Sequence, residues 1–345
     1  MSHARFVSTL LVILAAVAWP ARAVGQNVPV KLASVVPAGS IWDTELQRLA
    51  ADWQQVTNGR VTLTVFNGGA QGDEPSVLRK MRLDTLQAAS FTVVGLASID
   101  SAFNVFNLPF FFDSYEELNA VVEKLTPVLK QRLEAKGFVL LNWGHGGWLQ
   151  LFSTKPVSTL ADLKALKLYT AAGDDRMTQW YKANGFQPRA MAMTDILTGL
   201  STKMIEGVPT PPVAAMAFQW NRHTPYMLDI GIGPLVGATV VSAKTWSRIS
   251  QGDRAKLLEL AQGTEKRLQS VVPAQDAFAV LMLKQQGLTV TKASGSEWRK
   301  QAEELSATMR GQMVPRDIFD MALKERNLFR QRAPAPATAA APAAK

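Results

Sequence analysis

Side chains able to carry out catalysis are scarce in this sequence of 345 residues. It has no cysteine, and its three histidines are His3, His145 and His223. An active site needs a nucleophile with its base, paired carboxylates or a cluster of metal ligands. The motifs G-x-S-x-G, H-E-x-x-H and G-x-G-x-x-G are all missing. The sequence thus indicates a protein that binds a ligand without transforming it, and it predicts neither a cofactor nor a metal site.

Two polar segments have alternative interpretations. Residues 144–147 (G-H-G-G) resemble the oxyanion loop of esterases, but the matching serine elbow is missing. Asp174 and Asp175 form an adjacent acid pair. Such a pair fits a ligand contact and fits equally well the first turn of a helix, where acids complement the helix dipole. A metal site would require further ligands nearby.

The formal net charge is +9. Arg5 and Arg22 lie in the first 23 residues, where no acid occurs, so removal of that segment leaves a charge of +7. Lysines and arginines are scattered, without a dense run or interleaved stacking aromatics. This pattern favours a solvated basic surface over a nucleic-acid-binding one. Attraction to anionic solutes, or to an acidic surface on a partner, stays open.

The N-terminus has the three parts of a secretory signal. Arg5 precedes an almost unbroken apolar run over residues 6–19, and Ala21-Arg22-Ala23 gives a small-x-small cleavage pattern. The run is shorter than the ~20 apolar residues that a membrane-spanning helix needs. The sequence therefore predicts export to the periplasm with removal of residues 1–23.

The remaining chain has the rhythm of two α/β lobes. Residues 28–94 read as β-α-β-α-β, the pattern of a parallel sheet wrapped by helices, and the rhythm restarts near residue 148. Its length exceeds one typical domain of roughly 100–200 residues. The predicted fold class is α/β: a two-lobed periplasmic-binding-protein fold with mixed sheets wrapped by helices and a long helix crossing both lobes.

The predicted units are a signal peptide (1–23), lobe I (24–147 plus about 235–272), lobe II (148–234 plus about 273–332) and a disordered tail (333–345). A strand over residues 235–241 returns the chain to lobe I. A mostly helical segment over 244–283 follows, with Pro273 as a kink or a break. The tail contains only Ala, Pro, Thr and Lys, which offer nothing to bury. Ligands of such folds bind in the cleft between lobes, near the carboxyl ends of strands.

Several ordered motifs resemble the TRAP-transporter solute-binding family of the DctP type, over nearly the whole exported chain. The matching segments are Val35-Val36-Pro37, residues 57–61 (T-N-G-R-V), Gly72-Asp73-Glu74, Leu108-Pro109-Phe110, residues 155–167 (K-P-V to D-L-K-A-L-K) and residues 185–188 (G-F-Q-P). Each motif is weak alone, and their order and spacing make the resemblance specific. It implies capture of a small organic solute by lobe closure and delivery to a membrane permease driven by an ion gradient.

The chain departs from the family pattern where the resemblance places the ligand's carboxylate. The family's arginine two residues after Lys167 is replaced by Tyr169, which can donate one hydrogen bond but carries no charge. Trp148 and Gln150 stand where many relatives have a second basic group, and residues 206–212 contain three prolines. We therefore predict a ligand that is more apolar or aromatic than the usual carboxylate, with Arg176 available as a displaced cation.

The residues predicted to line the cleft are strongly aromatic and carry few charges. They are Trp42, Phe91, Trp148, Tyr169, Asp174, Arg176, Thr210, Pro211 and Trp220. Trp42 lies at helical spacing and fits a buried core position equally well. The predicted partners are the solute and the TRAP permease subunits, with peripheral contact to inner-membrane proteins only and no nucleic acid. Two other functions stay open: a non-transport carrier or sensor subunit for a lipid or other ligand, and an enzyme on the same scaffold.

Overall fold

The computed structural model describes residues 27–293 and 297–332, so the predicted signal peptide (1–23) and tail (333–345) lie outside the described residues. The strands are β1 (Val28–Ser34), β2 (Val61–Phe66), β3 (Ala88–Thr92), β4 (Phe138–Ser153), β5 (Lys167–Ala171), β6 (Gln187–Met191), β7 (Gly207–Thr210), β8 (Tyr226–Ser242) and β9 (Thr289–Lys292). The helices are α1 (Ile41–Val56), α2 (Glu74–Arg82), α3 (Val93–Ile99), α4 (Tyr115–Ala135), α5 (Leu160–Ala165), α6 (Asp175–Ala183), α7 (Ile196–Ser201), α8 (Pro212–Ala217), α9 (Ala243–Ser247), α10 (Gln251–Gln285), α11 (Glu297–Thr308) and α12 (Arg316–Arg332).

The strands form one mixed sheet in the order β2-β1-β3-β8-β4-β7-β5-β6, with β9 paired to β8. Strands β1, β2 and β3 are mutually parallel, as are β5, β6 and β7, while β8 and β4 run antiparallel to their neighbours in the path. Each parallel group is flanked by helices, which bury it as parallel sheets require. The predicted two-lobed α/β class with mixed sheets is therefore confirmed. The predicted lobe boundaries stay a prediction.

Two long strands, β4 and β8, join the lobes. They pair along their lengths, from Phe138 opposite Ser242 to Ser153 opposite Tyr226. One end of β8 pairs with β3, and the opposite end of β4 pairs with β7. Strand β4 joins two apolar runs, residues 138–143 and 148–152, into one continuous strand. The glycines at 144–147 break the apolar pattern, but pairing with β8 continues past them with a register shift between His145 and Trp148.

Helix α10 crosses both lobes, as predicted. Near its start Leu257 packs with Trp53 and the buried residues of β1 and β2. Farther along, Val272 packs with Trp42 and α8, and Leu283 packs against the lobe II end of β4. Pro273 lies inside this continuous 35-residue helix, so of the two predicted alternatives, a kink or a break, the break does not occur. In the described residues no helix combines the length and apolar composition needed to cross a bilayer.

Side chains at the helix starts fix where strands end. Strand β3 ends at Thr92, because the Thr92 hydroxyl accepts a hydrogen bond from the amide of Val94 and begins α3. Ser114 caps α4 by accepting from the amide of Glu117. The Glu117 carboxylate does not return a hydrogen bond to the start of α4 as in a capping box, and lies 2.9 Å from the Arg330 guanidinium.

Candidate functional site

A largely apolar cavity of about 90 Å³ lies where the lobes meet. Lobe I contributes residues 35–37 after β1, Trp42 and Leu46 of α1, residues 90–92 of β3, and Thr264 and Leu268 of α10. Lobe II contributes Met193, Ala214 and Phe218, and the linking strands contribute residues 142–146 and 235–239. Among the described residues that line it, none is Lys, Arg, Asp or Glu. We call it the junction cavity.

Two polar side chains of the junction cavity, Trp42 and Asn142, donate hydrogen bonds to the backbone of β4. The Trp42 indole donates a 2.9 Å hydrogen bond from Nε1 to the carbonyl of His145, which ties α1 to β4. Asn142 is 4% exposed, and its Nδ2 donates to the carbonyl of Trp143. Its Oδ1 has no hydrogen-bond partner among the described residues. A buried acceptor left in this state costs about 1–3 kcal/mol unless a ligand or water supplies a donor.

His145 lies on the wall of the junction cavity with 8% of its surface exposed. Burial lowers its pKa to about 4, because the charged imidazolium is poorly solvated there. The imidazole is therefore neutral at neutral pH, and the cavity presents no positive charge from this side chain.

The titration of His145 predicts acid sensitivity. Its pKa in the unfolded chain is about 6.5 and about 4 in the folded one, so the unfolded state takes up the proton first and stability is lost as the pH falls through this window. Between pH 7 and pH 5 the expected loss is about 2 kcal/mol. The free energy of unfolding in urea, measured at pH 7 and at pH 5, should fall less in His145→Gln than in the wild type, by about 2 kcal/mol. The exposed His223→Gln should match the wild type, and an undiminished decline in His145→Gln would contradict the assignment.

A second, smaller cavity of about 40 Å³ adjoins the first, and both are bounded by Val35, Thr92 and Met193. Its polar lining includes Glu74 and Tyr169, and we call it the tyrosine cavity. Glu74 is 7% exposed. Its carboxylate accepts hydrogen bonds from the amide of Thr92 (2.6 Å), the hydroxyl of Thr92 (2.7 Å) and the amide of Gly95 (3.0 Å). These bonds hold the start of α3 against α2.

Tyr169 of β5 faces the tyrosine cavity from lobe II. Its side chain is half-buried there. Burial raises its pKa above the ordinary value, and the nearby carboxylates of Glu74 and Asp174 raise it further. Tyr169 is therefore a neutral group with a proton to donate.

Asp174 and Arg176 lie in a third, open pocket of about 560 Å³, between the start of α6 and the segment 94–104. Asp174 caps α6 by accepting a hydrogen bond from the amide of Met177 (3.1 Å), as the helix-start alternative required. Burial raises the pKa of Asp174. Arg176 is exposed. These two predicted site residues are thus separate from Trp42 and Phe91, which line the junction cavity.

The other four predicted residues are not among the residues that line these three pockets. Trp148 packs edge-on against Tyr115, with ring centroids 5.1 Å apart. Thr210 is buried and pairs with Gln150 across β4 and β7, and Pro211 is the buried residue that precedes α8. Trp220 stacks on Phe218 at 4.6 Å, and Phe218 lines the junction cavity. Trp220 therefore supports a lining residue from behind.

Asp276 of α10 ties the linking strand to lobe II. It is 9% exposed. Its carboxylate accepts hydrogen bonds from the amide of Trp148 (2.8 Å) and the amide of Val213 (3.1 Å). Burial raises the pKa of Asp276 to about 6. Gly147, at φ +109°, lies so close that a Cβ on it would approach the Asp276 carboxylate to 2.5 Å and Pro211 to 2.7 Å.

The lobes also touch at two glycines on the cleft side. A Cβ on Gly69 would lie 2.7 Å from Cγ2 of Thr194, and a Cβ on Gly173 would lie 2.7 Å from Cγ of Pro75. Real Cβ atoms do not tolerate such distances. These glycines therefore let the backbone of one lobe approach the side chains of the other.

Sequence reasoning missed Asn142 and the lining residues Met193 and Phe218. Asn142 gave a usable signal, because it is the single polar residue in the apolar run 138–143, and a buried polar side chain needs a partner. Glu74 is indicated by sequence only through the motif Gly72-Asp73-Glu74. No group of three or more potential metal ligands occurs in the part of the chain that the structure describes.

Two α/β lobes that share two long strands, with a cavity at their junction, define a two-lobed binding protein. The sequence profile of the family described as bacterial extracellular solute-binding protein, family 7 (DctP) matches residues 32–312. The chain belongs to this family.

Relatives of known name support the same class. The chain is 23% identical over 301 residues to the C4-dicarboxylate-binding periplasmic protein DctP of Rhodobacter capsulatus, covering 85% of this chain and 89% of the relative. It is 22% identical over 291 residues to the sialic acid-binding periplasmic protein SiaP of Vibrio cholerae, covering 83% and 89%. It spans less of two others: 60% of an uncharacterized protein of Haemophilus influenzae and 66% of a solute-binding protein of Chromohalobacter salexigens.

Solved structures share the fold. The sugar acid binding protein DctPAm of Advenella mimigardefordensis, in complex with galactonate, superposes with a TM-score of 0.81 at 18% identity, covering 88% of this chain and 99% of that one. A TRAP periplasmic solute-binding protein of Xanthobacter autotrophicus with bound β-D-galacturonate gives 0.80 at 18% identity, covering 86% and 99%. At these identities the likeness concerns the fold, and the ligand must be argued from the site.

Proposed function

We propose that this chain is the extracytoplasmic solute-binding subunit of a TRAP-type secondary transporter. The observation that carries the proposal is the position of the junction cavity, whose lining comes from lobe I, from lobe II and from both linking strands. A solute bound there contacts both lobes, so it binds the closed arrangement more tightly than an open one and shifts the population toward closure. The closed surface is then presented to a membrane permease, whose ion gradient supplies the energy.

The compartment and the partner follow from the same proposal. Residues 1–23 direct the chain to the periplasm and are removed, and the exported protein meets the inner membrane only through the permease subunits. Membership of a solute-binding family supports binding in preference to catalysis. Delivery would require only that the permease distinguishes the closed form from the open one.

The ligand that we propose is more apolar or aromatic than the carboxylates and sugar acids named for the relatives. Trp42, Phe91 and Phe218 face the junction cavity, and none of its described lining residues carries a full charge at neutral pH. The neutral Tyr169 stands where the resemblance implies an arginine, so the forked charge-assisted pair with a carboxylate is unavailable from that position.

A thermal-shift panel tests the character of the ligand. Aromatic and isoprenoid compounds should raise the melting temperature, since a ligand at 100 times its Kd stabilises by about 2.7 kcal/mol. Short dicarboxylates should have little effect. Trp42→Ala should abolish the rise in melting temperature with aromatic compounds. Trp246 is buried outside both cavities. Trp246→Ala should therefore lower stability but still respond to aromatic compounds. Strong stabilisation by succinate with none by aromatic compounds would rule out the apolar ligand.

Binding by lobe closure is tested separately by solution scattering. The radius of gyration should fall when the best compound of the panel is added at saturation. Mass spectrometry of protein purified from its own periplasm should reveal a small organic solute. Equal radii with and without a compound that binds would contradict capture by closure.

A further inference from the structure

The two cavities form one two-part site with an apolar part and a polar part. The junction cavity and the tyrosine cavity share Val35, Thr92 and Met193 as common walls. The aromatic lining residues Trp42 and Phe91 belong to the first part, and the ionisable lining residues Asp73, Glu74 and Tyr169 belong to the second. A ligand that spans both parts has an apolar body and one polar end.

The polar part is acidic. Asp73 and Glu74 line it, and among its described lining residues there is no Lys or Arg. The pKa of Glu74 is raised, mainly because the side chain is buried. The hydrogen bonds from Thr92 and Gly95 oppose that rise, and the charge of Asp73 adds to it. No cation contributes to the pKa of Glu74. Tyr169 has its pKa raised by Glu74 and Asp174. A ligand carboxylate placed here would meet like charge in a poorly solvated space, which disfavours binding.

Two polar groups on the cavity walls point to the complementary chemistry. In the junction cavity the Oδ1 atom of Asn142 is a buried acceptor without a donor in the described chain, and its orientation is fixed because Nδ2 donates to the carbonyl of Trp143. In the tyrosine cavity the Tyr169 hydroxyl can both accept and donate. Together they offer acceptors to a ligand and no positive charge.

Resting on the proposed function, we infer that the cognate solute is an amphipathic molecule whose polar end is a hydrogen-bond donor, an ammonium or a hydroxyl group, and not a carboxylate. The donor end lies beside Tyr169 and Glu74, and the apolar body lies against Trp42 and Phe91. The acidic polar part thus selects against the ligand class named for the relatives.

Three probes with the same aromatic body test the inference: phenethylamine, phenethyl alcohol and phenylacetate. Isothermal titration of the full exported chain at neutral pH should give Kd values for the amine and the alcohol at least about tenfold lower than for phenylacetate. A phenylacetate Kd equal to or lower than the others would overturn the inference. So would failure of all three to bind a protein that responds to other compounds of the panel. The proposed function would stand in either case, because lobe closure is read by scattering with whichever solute binds.

Variants at Tyr169 sharpen the result. Tyr169→Arg supplies the missing cation and should reverse the order, so that phenylacetate binds about tenfold more tightly than the amine. Tyr169→Phe keeps the ring and loses one hydrogen bond, so the alcohol should bind about fivefold more weakly. Tyr226→Phe, outside both cavities, should leave the order unchanged. Equal affinities in wild type and Tyr169→Phe, with no reversal in Tyr169→Arg, would overturn the assignment of the polar end to Tyr169.

Discussion

Replacing Gly147 with alanine is expected to lower the free energy of unfolding by about 4 kcal/mol. Two effects add. At φ +109° an alanine is strained, and its Cβ would approach the Asp276 carboxylate to 2.5 Å and Pro211 to 2.7 Å. Relief of the contact would push α10 away from the linking strand β4 and stretch the hydrogen bond from the amide of Trp148 to Asp276.

Gly287→Ala is the matched control. Gly287 has a similar φ of +99°, and a Cβ on it would meet nothing within 4 Å. Gly287→Ala should therefore lower the free energy of unfolding only by the backbone strain, about 1–2 kcal/mol. Urea unfolding of both variants measures the difference, with the slope checked for constancy. Equal losses in the two variants would show that the close packing around Gly147 contributes nothing.

Replacing Gly69 with alanine is expected to weaken solute binding by about tenfold. The new Cβ would lie 2.7 Å from Cγ2 of Thr194 on the opposite lobe. Thr194 is β-branched and has little freedom to rotate away. The lobes must therefore stay slightly farther apart, and a solute that contacts both loses part of its contact. Titration with the best-binding compound of the panel gives the affinity.

The neighbouring Gly68 separates this contact from backbone strain. Its φ of +61° is close to the +71° of Gly69, and a Cβ on it would meet nothing within 4 Å. Gly68→Ala should change the affinity by less than about threefold. Thr194→Ser removes Cγ2 and should restore binding in the Gly69→Ala background. If Gly68→Ala weakens binding as much as Gly69→Ala, or if Thr194→Ser restores nothing, the contact between the lobes does not limit closure.

The lobes were predictable from sequence because their signals are local. The alternation of Val61–Phe66 and the helical spacing of Trp42, Leu46 and Trp53 each span a few residues. The long helix was predictable for the same reason, although Pro273 argued for a break. Its neighbours in both lobes hold the helix together across the proline, and tertiary packing of this kind leaves no mark in a short window.

The candidate site was predictable only in part. Trp42 and Phe91 were expected in the cleft and line the junction cavity. Trp148 was expected there because the family resemblance places a basic group at its position, and its ring packs on Tyr115. Which way a residue faces on β4 depends on register shifts against β8. Those shifts arise from pairing between distant segments and cannot be deduced from either segment alone.

The pairing of β3 with β8 bears on how the chain folds. Ala88 lies opposite Val241, about 150 residues farther along the chain. Contacts between residues so far apart in sequence make folding slow. The first lobe lacks the strand beside β3 until β8 has been synthesised and has docked. Until then the edge of β3 is exposed and can pair with other chains.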